Sequence, residues 1–277
     1  MKIGLALGGG GVRSLAHIPI LEVFDELGVR PHCISGTSMG AVIGALYAGG
    51  LDAAAIREWA VEMTGIAGGV AGKRRGLKAM LRWIEFKDIE FGAHGIFRGD
   101  RFMALLDKAI GVSTFEQLNI PLKVVATDFW DSRQVVFDSG DLLPAIRASM
   151  SLPGLLTPVR VHDRVYVDGA GVNPVPHDVL TGCDARVAVD VMGYLERGRQ
   201  GRPHLVRSIL GIIDIMQNTI IAEKLKADPP DIYIKPAIYN VDVLEFDKAR
   251  HVLIQAESAK EPFRKKLEAL CRGSLQP

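Results

Sequence analysis

The sequence predicts an α/β fold, with a mostly parallel central sheet covered by helices, and three observations carry that reading. The first is Ile3 to Leu7, a short β-prone run stopped by Gly8 to Gly11. Beyond it Leu15, Ile18, Leu21, Val23, Phe24 and Leu27 recur at helical spacing until Gly28 offers a C-terminal cap. The second is the immediate repeat of that plan. Val29 to Ile34 reads as a strand, Gly36-Thr37-Ser38-Met39-Gly40 as a turn, and Ala41 to Ala48 as a helix closed by Gly49 and Gly50. Successive strand-turn-helix units bury both faces of their strands, which a parallel sheet between helices achieves. The third is that the alternation persists. Strands are readable at Leu122 to Thr127, Gln134 to Phe137, Val159 to Val167, Arg186 to Val191 and Ile232 to Ile234. Helical patterns fall at Asp141 to Ala148, Leu205 to Leu225 and Asp247 to Leu270. No domain boundary or repeat interrupts this order. Residues 1–277 are therefore expected to form one domain, with a basic lid-like insertion around 65–99 and a helical C-terminal segment around 247–270.

Composition narrows the class. Of the 277 residues 48% are hydrophobic and 23% charged, enough for a sizeable core and far from the composition of disorder. Basic residues number 33 against 32 acidic, and a net charge of +1 argues against nucleic acid as a partner. Cys33, Cys183 and Cys271 are too few and too scattered for a disulfide framework or a zinc site, so neither metal nor cofactor is expected. Oligomeric state is not legible. The N-terminus meets glycine before a signal peptide can develop. Leu205 to Leu225, marked by Leu205, Ile209, Ile212, Met216 and Ile220, is broken by Arg207, Asp214, Gln217, Asn218 and Glu223. It falls short of a span of roughly 20 apolar residues and reads as core rather than lipid anchor. A soluble protein of the reducing cytosol is expected, at most peripheral to the inner face of the membrane. For such contact the sequence offers Lys73, Arg74, Arg75, Lys78, Arg82 and Lys87, interleaved with Leu77, Leu81, Trp83 and Phe86. That stretch reads either as a solvated helix or as a basic amphipathic surface for anionic headgroups.

Chemistry concentrates at the two glycine-rich turns. Gly36-Thr37-Ser38-Met39-Gly40 fits G-x-S-x-G between a strand and a helix, where a serine sits on a sharp turn above the sheet with a helix dipole aimed at it. Gly8 to Gly11 presents successive backbone N–H groups and suits an oxyanion or a phosphate about equally. Arg13 and Ser14 stand where a dinucleotide fingerprint wants its last glycine, and no Lys-Ser or Lys-Thr follows for a P-loop, which weakens the phosphate reading. A nucleophilic serine needs a base. His177, His204 and His251 lie late enough in the chain for a Ser-His-Asp order. Asp168 is the other candidate, held at the end of the β-prone Val165-Tyr166-Val167 run by Gly169, Ala170 and Gly171.

Taken together, Leu7 to Arg13, the Gly36–Gly40 turn, Val124 to Asp128, Ala145 to Gly154 and Asp168-Gly169-Ala170 resemble the patatin-like phospholipases. The likeness runs from about Lys2 to Pro176, and Ile209 to Pro236 is similar to the family's later helix and strand. It implies a three-layer α/β/α fold and a serine lipid acyl hydrolase acting on carboxylic esters of phospholipids or lysophospholipids. Carried over, Ser38 is the nucleophile and Asp168 its base in a Ser-Asp dyad, with the N–H groups of Gly9, Gly10 and Gly11 as oxyanion hole. Gly36, Gly40, Gly169 and Ala170 support the motifs. Arg13 either anchors the loop or holds a substrate phosphate, while Arg147, Ser149 and Pro153 shape a wall of the site. Ser14 and Pro19 depart from the family, where glycine is usual. A Ser-His-Asp carboxylesterase and a lipid-binding pseudoenzyme are the competing readings.

Overall fold

The computed structural model describes residues 1–65, 89–92, 95–97, 99–161, 163–194 and 205–273. The first strand-turn-helix unit is β1 (Ile3–Leu7), a 3-10 turn (Gly11–Ala16) and α1 (His17–Glu26); the second is β2 (Cys33–Thr37) and α2 (Met39–Gly49). Then come α3 (Ala53–Thr64), the hairpin β3 (Ile89–Gly92) and β4 (Gly95–Phe97), and α4 (Asp100–Ile110). The middle of the chain forms β5 (Leu122–Asp128), β6 (Arg133–Phe137), α5 (Leu142–Ser149), β7 (Val159–Val161) and β8 (Arg164–Asp168). It ends with β9 (Ala185–Val189), α6 (Leu205–Ala227), β10 (Ile232–Ile234), α7 (Ala249–Ala256) and α8 (Lys260–Gly273).

The main sheet has the order β10-β9-β1-β2-β5-β8-β7, with β6 also paired to β5. From β10 to β5 all pairs are parallel; β6, β7 and β8 are antiparallel. Alternation along the strands sorts their side chains into two cores. Leu5, Leu7, Ile34, Val187, Val189 and Ile232 pack with α1, α2, α3, α7 and α8. Ala6, Cys33 and Ala188 point the other way, onto Ile221 and Leu225 of α6. Helices on both faces make the three-layer α/β/α sandwich that the family resemblance implies.

The departures have physical causes. The run read as one strand, Val159 to Val167, is the hairpin β7–β8, because the polar His162-Asp163-Arg164 stretch interrupts it. The helix read at Asp247 to Leu270 is two, α7 and α8, with Pro262 in the first turn of α8, where a missing N–H costs nothing. Helix α6 was read as core, yet Ile209, Ile212, Ile215 and Met216 face outward. Ser14 caps no helix; its hydroxyl is buried with no hydrogen-bond partner among the described residues. The basic stretch from Lys73 to Lys87 lies outside the described residues.

Candidate active site

One edge of β5 brings the two chemical turns together. Thr37, the last residue of β2, is in register with Val125, and Asp168, the last residue of β8, is in register with Ala126. Since β6 occupies the opposite edge of β5, the parallel β2 and the antiparallel β8 meet end to end along the same edge. The residue just past the end of β2 therefore faces the last residue of β8. Ser38 Oγ donates to Asp168 Oδ2 at 2.7 Å, across 130 residues of sequence.

The turn at Ser38 is tight. Ser38 has φ 54 and ψ −128, in the positive-φ region that side chains disfavour, and precedes the first residue of α2. Gly40 is what lets that helix start so close to β1: a Cβ there would lie 2.2 Å from the Leu7 carbonyl oxygen. Ser149, at the end of α5, fixes the turn from the other side. Its hydroxyl donates to Val125 O at 2.6 Å and accepts the Ser38 N–H at 2.8 Å. Ser149 thus holds the Ser38 backbone directly, a more specific part than the wall of the site suggested by sequence.

Asp168 is buried, and burial pushes its carboxyl up from 3.8 to about 6, against the lowering effect of the hydrogen bonds from Ala170 N–H and Ser38. Ala170 N–H reaches Oδ1 at 2.8 Å, leaving Oδ2 for the serine. Next to it, a Cβ on Gly169 would lie 2.2 Å from Val125 O, so only glycine lets the carboxylate come this near β5. A carboxylate so placed can take the hydroxyl proton directly, and a value near 6 keeps it ionised at neutral pH while bringing its basicity closer to working pH.

The glycine loop approaches from β1. Gly10 and Gly11 line the space beside Ser38, and among the described residues no backbone carbonyl accepts from either N–H. Gly9, grouped with them by sequence, differs: its N–H donates to Pro174 O at 2.9 Å. Arg13 is buried and anchors the loop, bonding Gly10 O, Met192 O and the Asp214 carboxylate of α6. Of its two sequence readings this geometry is that of the anchor. His17, buried under the loop, has its Nε2 at 2.8 Å from Gly8 O, and desolvation holds its pKa down at about 4. A neutral imidazole there donates that hydrogen bond and steadies the loop. Neither Asp214 nor His17 was singled out by sequence; His17 carried a faint signal as a polar residue on the apolar face of α1.

These groups open into one cleft, whose empty volume, mouth included, is about 1190 Å³. Apart from Ser38, Asp168, Arg147, Asp214 and Gln217, its walls are largely apolar, with Met39, Met63, Met103 and Met150 among them. Methionine walls adapt to flexible chains. Arg147 bonds the hydroxyls of Ser151 and Thr157, and burial lowers its pKa.

The histidine alternatives sit elsewhere. His177 has Nδ1 at 3.0 Å from Val175 O and Nε2 at 2.8 Å from Asp228 O, and does not reach Ser38. His251 is exposed on α7, and His204 lies outside the described residues. Asp128 is buried and bonded to Arg164. Among the described residues no cluster of His, Cys, Asp or Glu has the makings of a metal site, and no helix is long and apolar enough to cross a membrane.

Comparison with known proteins agrees with this architecture. An uncharacterized NTE family protein of Mycobacterium bovis is 35% identical over 191 residues, covering 69% of this chain and 48% of its own. The lysophospholipase NTE1 of Pyricularia oryzae is 27% identical over 271 residues, covering 89% of this chain and 17% of its own. The chain thus spans about half, or less, of the curated relatives it matches. Among solved structures, VipD from Legionella pneumophila is similar in fold, with a TM-score of 0.53 at 12% identity over 95% of this chain and 66% of that one. The family model for patatin-like phospholipase matches residues 5–181, which hold the glycine loop, the serine turn and Asp168 alike, and the chain belongs to the patatin-like phospholipase family.

Proposed function

We propose that this protein is a serine lipid acyl hydrolase that cleaves carboxylic esters of phospholipids or lysophospholipids through an acyl-Ser38 intermediate, with Asp168 as the only side-chain base. The observation that carries the reading is the 2.7 Å hydrogen bond from Ser38 to a buried carboxylate at the wall of a largely apolar cleft. The name of the lysophospholipase relative supports the substrate class.

The chemistry derives from the geometry. Ser38 Oγ attacks the ester carbonyl as its proton passes to Asp168 Oδ2. The tetrahedral oxyanion lies against Gly10 and Gly11 N–H at the start of the 3-10 turn, with Gly9 as structural support of the loop rather than donor. Collapse breaks the bond to the alcohol, and Asp168 returns the proton to the leaving oxygen. Water then attacks the acyl-enzyme, giving its proton to Asp168, and the acid leaves as Ser38 recovers its proton. The Met-lined wall holds the acyl chain.

A fluorophosphonate probe should label Ser38. Ser38→Ala should abolish hydrolysis of p-nitrophenyl esters and of phospholipids, and Asp168→Asn should do the same with folding intact. Wild-type rates in Asp168→Asn together with a dead His177→Ala would replace the dyad with a Ser-His-Asp site. Acyl-chain binding without labelling or turnover would make the protein a binding module.

A further inference from the structure

Most of the large apolar side chains exposed among the described residues are gathered at one end of the sheet. Parallel strands β1, β2, β5, β9 and β10 all point their carboxyl ends the same way, toward the cleft that holds Ser38. Phe129 and Trp130 lie in the turn after β5, and Trp130 is 76% exposed. Tyr194 comes after β9 and Tyr239 after β10; their rings stack at 5.5 Å, with Lys235 Nζ 5.1 Å from the Tyr194 ring centre. Helix α6 starts at this end, since it leads into β10 and therefore runs against the strands. Its first half carries Ile209, Ile212, Ile215 and Met216 outward, the last two 62% and 60% exposed. Leu244, which lines the cleft, is exposed as well, and among the described residues the large apolar side chains exposed elsewhere are Met1 and Ile254.

The α6 stripe adjoins the cleft. Leu210, Ile213 and Gln217 line the cavity, and Ile209, Ile212 and Met216 each sit one residue earlier on the same helix, so lining and exposed stripes run side by side. The stripe is uncharged: Asp214, the one ionisable residue between Ile209 and Met216, is turned inward onto Arg13.

We propose that this face rests on a phospholipid bilayer, with the Ile209–Met216 half of α6 buried among the acyl chains and the Trp130, Tyr194 and Tyr239 rings at headgroup level. Tryptophan and tyrosine favour that level because an apolar ring carries a polar edge. An outward apolar stripe on a helix lying in the interface gains by burial of area rather than by charge. A second copy of the chain seated on the same face would close the cleft mouth against substrate, whereas a bilayer there presents substrate to it. The inference rests on the lipid-hydrolase reading for its purpose but not for its measurement.

The test is co-sedimentation of the full chain, made inert by Ser38→Ala, with phosphatidylcholine vesicles. Binding is expected, little changed by high salt. Adding Ile212→Glu, Ile215→Glu and Met216→Glu should weaken it at least tenfold, and the milder Ile212→Ser with Met216→Ser should weaken it in the same direction. Ile254→Glu on α7 should leave binding unchanged. With Ser38 intact, the triple variant should hydrolyse a water-soluble short-chain ester within twofold of the parent and vesicle lipid at least tenfold more slowly. Unweakened binding in the triple variant, an equal loss in Ile254→Glu, or no binding by the parent would overturn the proposal. So would a dimer dissolved by the triple variant in the absence of vesicle binding. If the inert chain binds vesicles but the Ser38 enzyme hydrolyses nothing, the hydrolase reading fails and the docking face stands.

Discussion

Replacing Asp168 by asparagine tests the electrostatics of the site through stability as well as rate. Burial raises this carboxyl from 3.8 to about 6, roughly two units, worth about 3 kcal/mol at 1.36 kcal/mol per unit. The sign is set by proton uptake. Between about pH 6 and 3.8 the folded state holds the proton more tightly than the unfolded chain, so stability grows as pH falls and is lost as pH rises through 6. His17 acts oppositely: its value drops from 6.5 to about 4, so about 3 kcal/mol is lost as pH falls from 6.5 through 4. In the wild type these two contributions nearly cancel. Asp168→Asn removes one of them and keeps the shape, since an amide oxygen can still accept from Ala170 N–H. The variant should be more stable than wild type by about 3 kcal/mol at pH 8, with the difference vanishing near pH 4. Guanidinium unfolding of both proteins at pH 8, 6 and 4 measures it. On a soluble ester, wild-type kcat/KM should rise with pH through about 6 as Asp168 ionises. The variant should lose this limb and roughly two to four orders of magnitude in rate. A stability difference that stays constant with pH, or a variant less stable at pH 8, would refute the reasoning.

Other substitutions probe the backbone. At Ser38, with φ 54, glycine should be more stable than alanine by about 1 kcal/mol, reversing the usual order; both variants should be inactive, and denaturant midpoints compare them. Gly40→Ala should destabilise by more than about 3 kcal/mol or prevent soluble expression, because its Cβ would meet the Leu7 oxygen at 2.2 Å. Ser149→Ala strands the buried Ser38 N–H, at a cost of about 1–3 kcal/mol in stability. Its kcat should fall about tenfold with KM little changed, as measured on a soluble ester, because the loss disturbs the nucleophile and not the acyl wall.

Much of this was legible from residues alone. The two glycine-rich turns marked β1, β2 and their helices, because a glycine run between a β-prone segment and a helical periodicity is a local signal, although β2 runs from Cys33 to Thr37 and so takes in the start of the turn. The Asp168 turn was visible too, as a β-prone run broken by glycines. What could not be read is which edge a strand joins. Val159 to Val167 looks like one strand, and only pairing with β5 makes Asp168 the residue that faces Ser38. The outward face of α6 was hidden for a related reason. Periodicity says that Ile209, Ile212 and Met216 share a side, but not whether that side meets the sheet or solvent, and on this helix the sheet takes Ile221 and Leu225 instead. Buried polar partners were harder still. Asp214 meets Arg13 across 201 residues, and nothing local marks either as half of a pair.

The end-to-end meeting of β2 and β8 also bears on when during synthesis the protein acquires its chemistry. A nascent chain that has emerged only as far as α5 already holds the glycine loop, the serine turn and Ser149, yet it lacks the proposed base, because Asp168 arrives on the last residue of β8. Closing a contact over 130 residues is slow compared with forming the local turns. On the proposed dyad, hydrolysis would therefore report that β8 has joined β5, and a chain stopped short of that pairing would have no activity toward lipid.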